Sequence, residues 1–163
     1  MIRPAQRADL GPVTALIYGA YKRYVPLLGR DPQPLTDDYA ALIAAGEVFV
    51  WTEADALVGA LVVQEPERGT MLVRTVAVAP DRQGQGLGTQ LMAYAEELAD
   101  ERALNRMRLY TNEVMDGTAR LYARLGYSET HREGPPGKQV IYMAKPVSIA
   151  RLPRSGCRQA ERA

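Results

Sequence analysis

Apolar residues at Leu10, Val13, Leu16, Ile17, Ala20 and Tyr21 follow the three-and-four spacing of one helix face, with Asp9 placed to cap the start and Pro12 in the first turn. A short strand at 2–4 precedes this helix. Pro26, Gly29, Pro32 and Pro34 then break the pattern, which predicts an irregular loop. A second helix is expected to start at Thr36, Asp37 and Asp38, run through Ala45 and end at Gly46. From there the period becomes that of strands. Runs at 47–53 and 57–65, joined by Ala54, Asp55 and Ala56, read as a hairpin, and 70–79 adds a third antiparallel strand. A helix over 86–103 presents Leu87, Leu91, Tyr94, Ala95 and Leu98 on one face and Glu96, Glu97, Asp100 and Glu101 on the other. The strand expected at 107–111 then lies parallel to the strand before that helix, through a right-handed crossover. A fourth helix over 115–125 stops at Gly126, and 127–132 with 139–145 form a terminal hairpin across Gly134-Pro135-Pro136-Gly137.

Length and composition narrow this picture. At 163 residues and 47% hydrophobic content, the chain suits one domain, expected over 1–147. From Ser148 the apolar period disappears and Arg151, Arg154, Arg158 and Arg162 dominate, so 148–163 is expected to be a mobile basic tail. A net charge of +1 provides no large positive field, and nucleic acid is not implied as a partner. No apolar run is long enough to span a bilayer, and Met1-Ile2-Arg3-Pro4 lacks a signal-peptide core; the expected setting is cytoplasmic, without a membrane partner. Cys157 is the single cysteine and His131 the single histidine, so neither an internal disulfide nor a metal site is expected.

The candidate chemistry centres on Gln83-Gly84-Gln85-Gly86-Leu87-Gly88, where the third strand of the meander hands over to a helix. Unpaired N–H groups and the positive end of the helix dipole converge at such a turn, and glycines let an anion approach the main chain. A dinucleotide fold would space its third glycine one residue later, and a P-loop would follow its last glycine with lysine. A tight bend without any ligand is the other reading.

The segment from Val76-Ala77-Val78-Ala79-Pro80-Asp81-Arg82 through this turn resembles the cofactor signature of the GNAT N-acetyltransferase superfamily, Val-x-Pro-x-x-Arg/Gln-x-Gly-x-Gly/Ala. Leu121-Tyr122-Ala123-Arg124-Leu125-Gly126-Tyr127 resembles that family's second element, Leu-Tyr-x-x-x-Gly-Phe/Tyr. The similarity spans Ile2 to about Lys145. It implies an α/β (α+β) GNAT fold: a mixed, mostly antiparallel sheet of six to seven strands, flanked by about four helices and splayed at the cofactor. The implied activity is acetyl-CoA-dependent transfer to a primary amine of a small molecule or exposed peptide, by direct attack in a ternary complex. A homodimer is also compatible with the family. A non-catalytic acyl-CoA-binding sensor or regulatory module is the alternative.

By the same resemblance, Arg82, Gln83, Gly84, Gln85, Gly86, Leu87, Gly88 and Thr89 hold or border the diphosphate of acetyl-CoA. The strand residues Val76, Ala77 and Val78 pair with the pantetheine arm, Asn112 holds that arm or a water, and Tyr122 is the general acid. Without the motif, Tyr122 reads as a core tyrosine. The chain also departs from the family: Val73-Arg74-Thr75-Val76 lacks the glutamate that many members carry, and Met115 stands where asparagine is common. Glu113 is then the candidate base, the other reading being a solvated loop carboxylate. Tyr18, Tyr21, Tyr24, Arg30, Asp38 and Tyr39 cluster around the connection that covers the acceptor pocket in the family. Aromatic walls with a carboxylate suit a small cationic amine. The plainer reading is that these side chains cover the core, and His131 is expected to decorate a strand.

Overall fold

The computed structural model describes residues 1–147, and the tail with Cys157 lies outside the described residues. Strand β1 (Ile2–Pro4) leads into α1 (Leu10–Tyr21), a one-turn α2 (Val25–Leu28) and α3 (Tyr39–Ala44). A meander of β2 (Val48–Glu53), β3 (Ala56–Glu67) and β4 (Thr70–Val78) follows, then α4 (Leu87–Glu101), β5 (Arg106–Asn112), α5 (Thr118–Arg124), β6 (Ser128–Glu133) and β7 (Val140–Pro146). The seven strands form one sheet in the order β1-β2-β3-β4-β5-β7-β6. Only β4 and β5 run parallel, as the crossover through α4 requires.

Two apolar layers hold the helices on the sheet. On one face, Val13, Leu16, Ile17 and Ala20 of α1 pack with Val48, Val50, Ala60, Val62 and Ala77. On the other, Leu91, Met92, Ala95, Leu98 and Ala99 of α4 meet Leu61, Val63, Met71, Val73 and Met107. Phe49 places its ring 5.5 Å from that of Tyr94, edge to face. The central run from Val58 to Val63 is buried on both faces, which is why it reads as continuously apolar rather than alternating.

Several boundaries differ from the sequence expectation, each for a local reason. Asp9 has helical backbone angles and does not cap α1; its carboxylate takes the Arg3 guanidinium at 2.7 and 3.0 Å and the Gln6 N–H at 2.7 Å. The loop expected around Pro26 to Pro34 contains α2, with Pro26 in its first turn and Gly29 ending it at φ 72°, and a further helical turn at Gln33–Leu35. Asp38 rather than Thr36 caps α3, accepting the Ala41 N–H at 3.1 Å. Helix α5 begins at Thr118 instead of 115, because Gly117 enters it at φ 80° and the Met115 N–H turns back to the Asn112 carbonyl.

The β2–β3 hairpin turns on two residues at positive φ, Ala54 at 45° and Asp55 at 62°. Such turns favour Asn-Gly, since a Cβ at these angles is strained. The double substitution A54N/D55G is expected to stabilise the protein by about 1 kcal/mol, read as a rise of a few degrees in the thermal midpoint.

One irregularity positions the site. Val62 pairs with Thr75 and Val63 with Val73, so a single step along β3 spans two along β4 and leaves Arg74 as a bulge. Parallel pairing of β4 with β5 extends from Thr70 and Arg106 to Val73 and Leu109, then stops. The two strands part where the bulge begins.

Candidate functional site

The gap beyond Arg74 opens into a cavity of about 320 Å³, walled by Val76 to Val78 of β4, Tyr110 to Asn112 of β5, Tyr21, Tyr24, Gln33 and Tyr122. A second pocket of about 290 Å³ lies at the glycine turn, between Arg82, Gln83, Gly84, Gly86, Leu87, Gly88 and Thr89. Val78, Gln83, Gly88 and Leu121 line both, so the two form a continuous groove.

At the glycine turn, Gly84 has φ 76° and Gly86 φ 83°. A Cβ at either would meet nothing within 4 Å, so the backbone angle and not space requires glycine here. Gly86 caps α4 without a side-chain bond, and the Gln90 N–H is bonded to the Gly86 carbonyl at 3.1 Å. The N–H groups of Leu87, Gly88 and Thr89 therefore precede the intrahelical ladder, and no acidic side chain sits in the first turn. This end of α4 suits an anion. The Leu87 side chain is buried and packs, so only its main chain is open to the groove. Gln85 does not line the pocket and accepts from Arg82 at 3.1 Å, while Arg82 pairs with Glu53 at 2.6 Å.

Along β4 the Ala79 N–H is bonded to the Val58 carbonyl at 2.9 Å. Hydrogen-bonding direction alternates along a strand, so the main-chain groups of Val76 and Val78 point into the gap left by β5. Side chains already reach two of the carbonyls: the Tyr21 hydroxyl donates to Val76 at 2.9 Å and the Gln83 amide to Val78 at 3.2 Å. An extended ligand would pair with what remains, as an added strand does.

Tyr122 lines this cavity, and its hydroxyl has no hydrogen-bond partner among the described residues. Burial, with a smaller contribution from Tyr24, pushes its pKa up to about 12. Burial likewise raises Tyr21, Tyr39 and Tyr127. In the unfolded chain tyrosine ionises near pH 10, so above that pH the unfolded state releases protons that the native state retains. Stability is thus complete below about pH 10 and is expected to fall as pH rises toward the native values, which urea titrations between about pH 9 and about pH 11 would follow.

The structure separates the other expected residues. Glu113 does not line the cavity: its oxygens accept from Arg132 and from the Gln139 N–H, both at 2.9 Å, which ties the carboxylate to the terminal hairpin. The sequence placed it beside the groove only because it follows β5. Asn112 lines the cavity, but its amide donates to the Lys138 carbonyl at 3.0 Å and its oxygen accepts the Val114 N–H at 3.1 Å. Its side chain shapes the turn after β5. Of the acceptor-pocket candidates, Tyr21, Tyr24 and Arg30 line the cavity. Tyr39 is core, with its hydroxyl on the Pro34 carbonyl at 2.5 Å, Tyr18 is 58% exposed, and Asp38 is the cap of α3. His131 stacks on Tyr142 at 4.3 Å on the outer strand β6.

Sequence reading missed Arg23, Gln33, Arg74 and Tyr110, all of which line the cavity. Arg74 grips Asp37 with two bonds, at 2.8 and 3.0 Å, Gln33 also donates to Asp37, and Tyr110 donates to Gln33 at 2.5 Å. A charged residue within the apolar run of β4 was the available signal. The lining includes no aspartate or glutamate. No group of three or more His, Cys, Asp or Glu side chains suited to a metal occurs among the described residues. No helix among them is long and apolar enough to cross a membrane.

Comparison with known proteins agrees with this architecture. Over 90% of this chain, and 98% of the other, the fold superposes on the PaiA N-acetyltransferase of Thermoplasma acidophilum, crystallised with coenzyme A, with a TM-score of 0.75 at 13% identity. The Escherichia coli ribosomal-protein-S18-alanine N-acetyltransferase matches over 92% and 95% of the two chains with a TM-score of 0.71 at 20% identity. At these identities the likeness is one of fold. In sequence, 84 residues, 52% of this chain, are 36% identical to the mycothiol acetyltransferase of Tsukamurella paurometabola, and the match spans 26% of that protein's length. The model of the acetyltransferase (GNAT) family matches residues 16–127, more than half of the chain and both motifs around the groove, and the chain belongs to that family.

Proposed function

We propose that this protein transfers the acetyl group of acetyl-CoA to a primary amine of a small molecule or exposed peptide, by direct attack within a ternary complex. The observation that carries this reading is the continuity of the groove, which links the open N–H groups of α4 to the unpartnered Tyr122 hydroxyl through the gap between β4 and β5. In it, the N–H groups of Leu87, Gly88 and Thr89 hold the diphosphate, and the β5-facing main chain of Val76 and Val78 holds the pantetheine arm. Tyr122 then donates to the departing sulfur. Ala77 belongs to this wall through its backbone position, and Asn112 shapes it through the turn it braces.

The amine must be neutral to attack, and no carboxylate lines the cavity to take its proton. The arginines along the wall disfavour an ammonium there, so the acceptor loses its proton to water and reacts as the free amine. The missing carboxylate also favours a second reading, a non-catalytic sensor of acyl-CoA. Calorimetry with acetyl-CoA followed by assays of thiol release over a broad amine panel separates the two. Binding with turnover is expected; binding with no turnover over background would leave the sensor, and no binding would remove both.

A further inference from the structure

We propose that the acceptor carries a carboxylate, held at the rim of the cavity by Arg23 and Arg30. This rests on reading the cavity as the acceptor site of acetyl transfer. The whole chain is nearly balanced, with 20 basic and 19 acidic residues. The cavity lining is not: its charged side chains are Arg23, Arg30 and Arg74, without one carboxylate. Arg74 is already neutralised by its two bonds to Asp37. Neither Arg23 nor Arg30 has an ion pair among the described residues, and Asp31, though next in the chain to Arg30, pairs with neither and lies outside the lining. Lys138 adds a further cation nearby, its ammonium donating to the Leu28 carbonyl at 3.3 Å, also without a carboxylate partner among the described residues.

Arg23 is also held in position. Its guanidinium lies 4.9 Å from the centre of the Tyr24 ring and donates to that hydroxyl at 2.8 Å, which leaves its other N–H groups for a ligand. A planar guanidinium fork matches a carboxylate through paired, charge-assisted bonds. An acceptor whose only charge was an ammonium would meet the like charges of Arg23 and Arg30 at the rim, which works against the small cationic amine that the sequence suggested. An amine bearing a carboxylate sets its one negative charge between these two cations while its amino end reaches toward Tyr122. The class is therefore amino acids, or peptides that present an acidic group close to the reacting amine.

The test compares ω-amino acids and L-amino acids with their own carboxamides, at equal concentrations of free amine, after acetyl-CoA binding has been measured by calorimetry. Each acid is expected to exceed its amide at least tenfold in kcat/KM. In the R23Q/R30Q variant, kcat/KM should fall at least tenfold more for the acid than for the amide, chiefly through KM. Equal use of acids and amides, transfer to no acid despite bound acetyl-CoA, or a preference that survives in the double variant would each overturn the assignment. Absence of acetyl-CoA binding would instead remove the acetyl-transfer reading beneath it. Both side chains are exposed, so the variant retains the fold, which circular dichroism would verify.

Discussion

Replacing Tyr122 with phenylalanine is expected to lower kcat about 10²-fold while changing the affinity for acetyl-CoA little. Tyr122 lines the cavity and its hydroxyl has no partner among the described residues, so removing it strands no described group, and the ring keeps its place 6.1 Å from that of Tyr127. The phenol, with a pKa of about 12, is a weak acid for a thiolate. In water a thiol ionises near pH 8.5, and full proton transfer would be uphill. A thiolate leaving within the groove would be desolvated as well, which raises its own pKa and brings the two closer. On the proposed reading, Tyr122 serves as a hydrogen-bond donor whose proton moves as the carbon–sulfur bond breaks. Because its pKa lies near 12, the neutral form persists over the ordinary working range and no loss of activity from Tyr122 ionisation is expected below about pH 11. Steady-state kinetics of Y122F beside calorimetric titration of acetyl-CoA would check both halves. An unchanged kcat would return Tyr122 to a packing role and strengthen the sensor reading.

The second large effect concerns Arg74. Substituting it with methionine is expected to destabilise the protein by about 3 kcal/mol, because Asp37, 9% exposed in its side chain, would remain charged with only Gln33 to meet it. The replacement R74M/D37L removes both charges and should recover much of that loss, a coupling that a double-mutant cycle in urea would measure. The same pair ties the segment after α2 to the bulge of β4, and Gln33 on that segment in turn receives the Tyr110 hydroxyl. Arg74→Met is therefore also expected to raise the acceptor KM, since Gln33 and Pro34 line the cavity. Additive single effects would mean that the pair does not couple these elements.

Much of the architecture was legible because it follows local periodicity. The spacing of Val13, Leu16, Ile17 and Ala20 assigns α1 its buried face, and the run through Leu91, Ala95 and Leu98 does the same for α4. Boundaries shifted where a side chain expected to start a helix took another partner: Asp9 turned back to Arg3, close in the chain, and Asp37 to Arg74, far along it. The terminal hairpin was anticipated, but its insertion of β7 between β5 and β6 belongs to long-range pairing that turn residues do not encode.

The site divides in the same way. Glycine spacing determines where main-chain N–H groups gather, since positive φ at Gly84 and Gly86 is a property of the residues themselves. Tyr122, singled out by its motif, lines the cavity. The reach of charged side chains was not readable, because a flexible chain several bonds long takes its partner from whatever the fold brings near. Thus Glu113 went to Arg132 and Gln139 instead of the groove, and Arg74, a lone charge in an apolar strand, became the bulge at which β4 leaves β5. Local spacing and backbone preference act within a few residues and are carried by the sequence alone. The opening of the groove and the sign of its charge arise between segments far apart in the chain, and only their packing in three dimensions decided them.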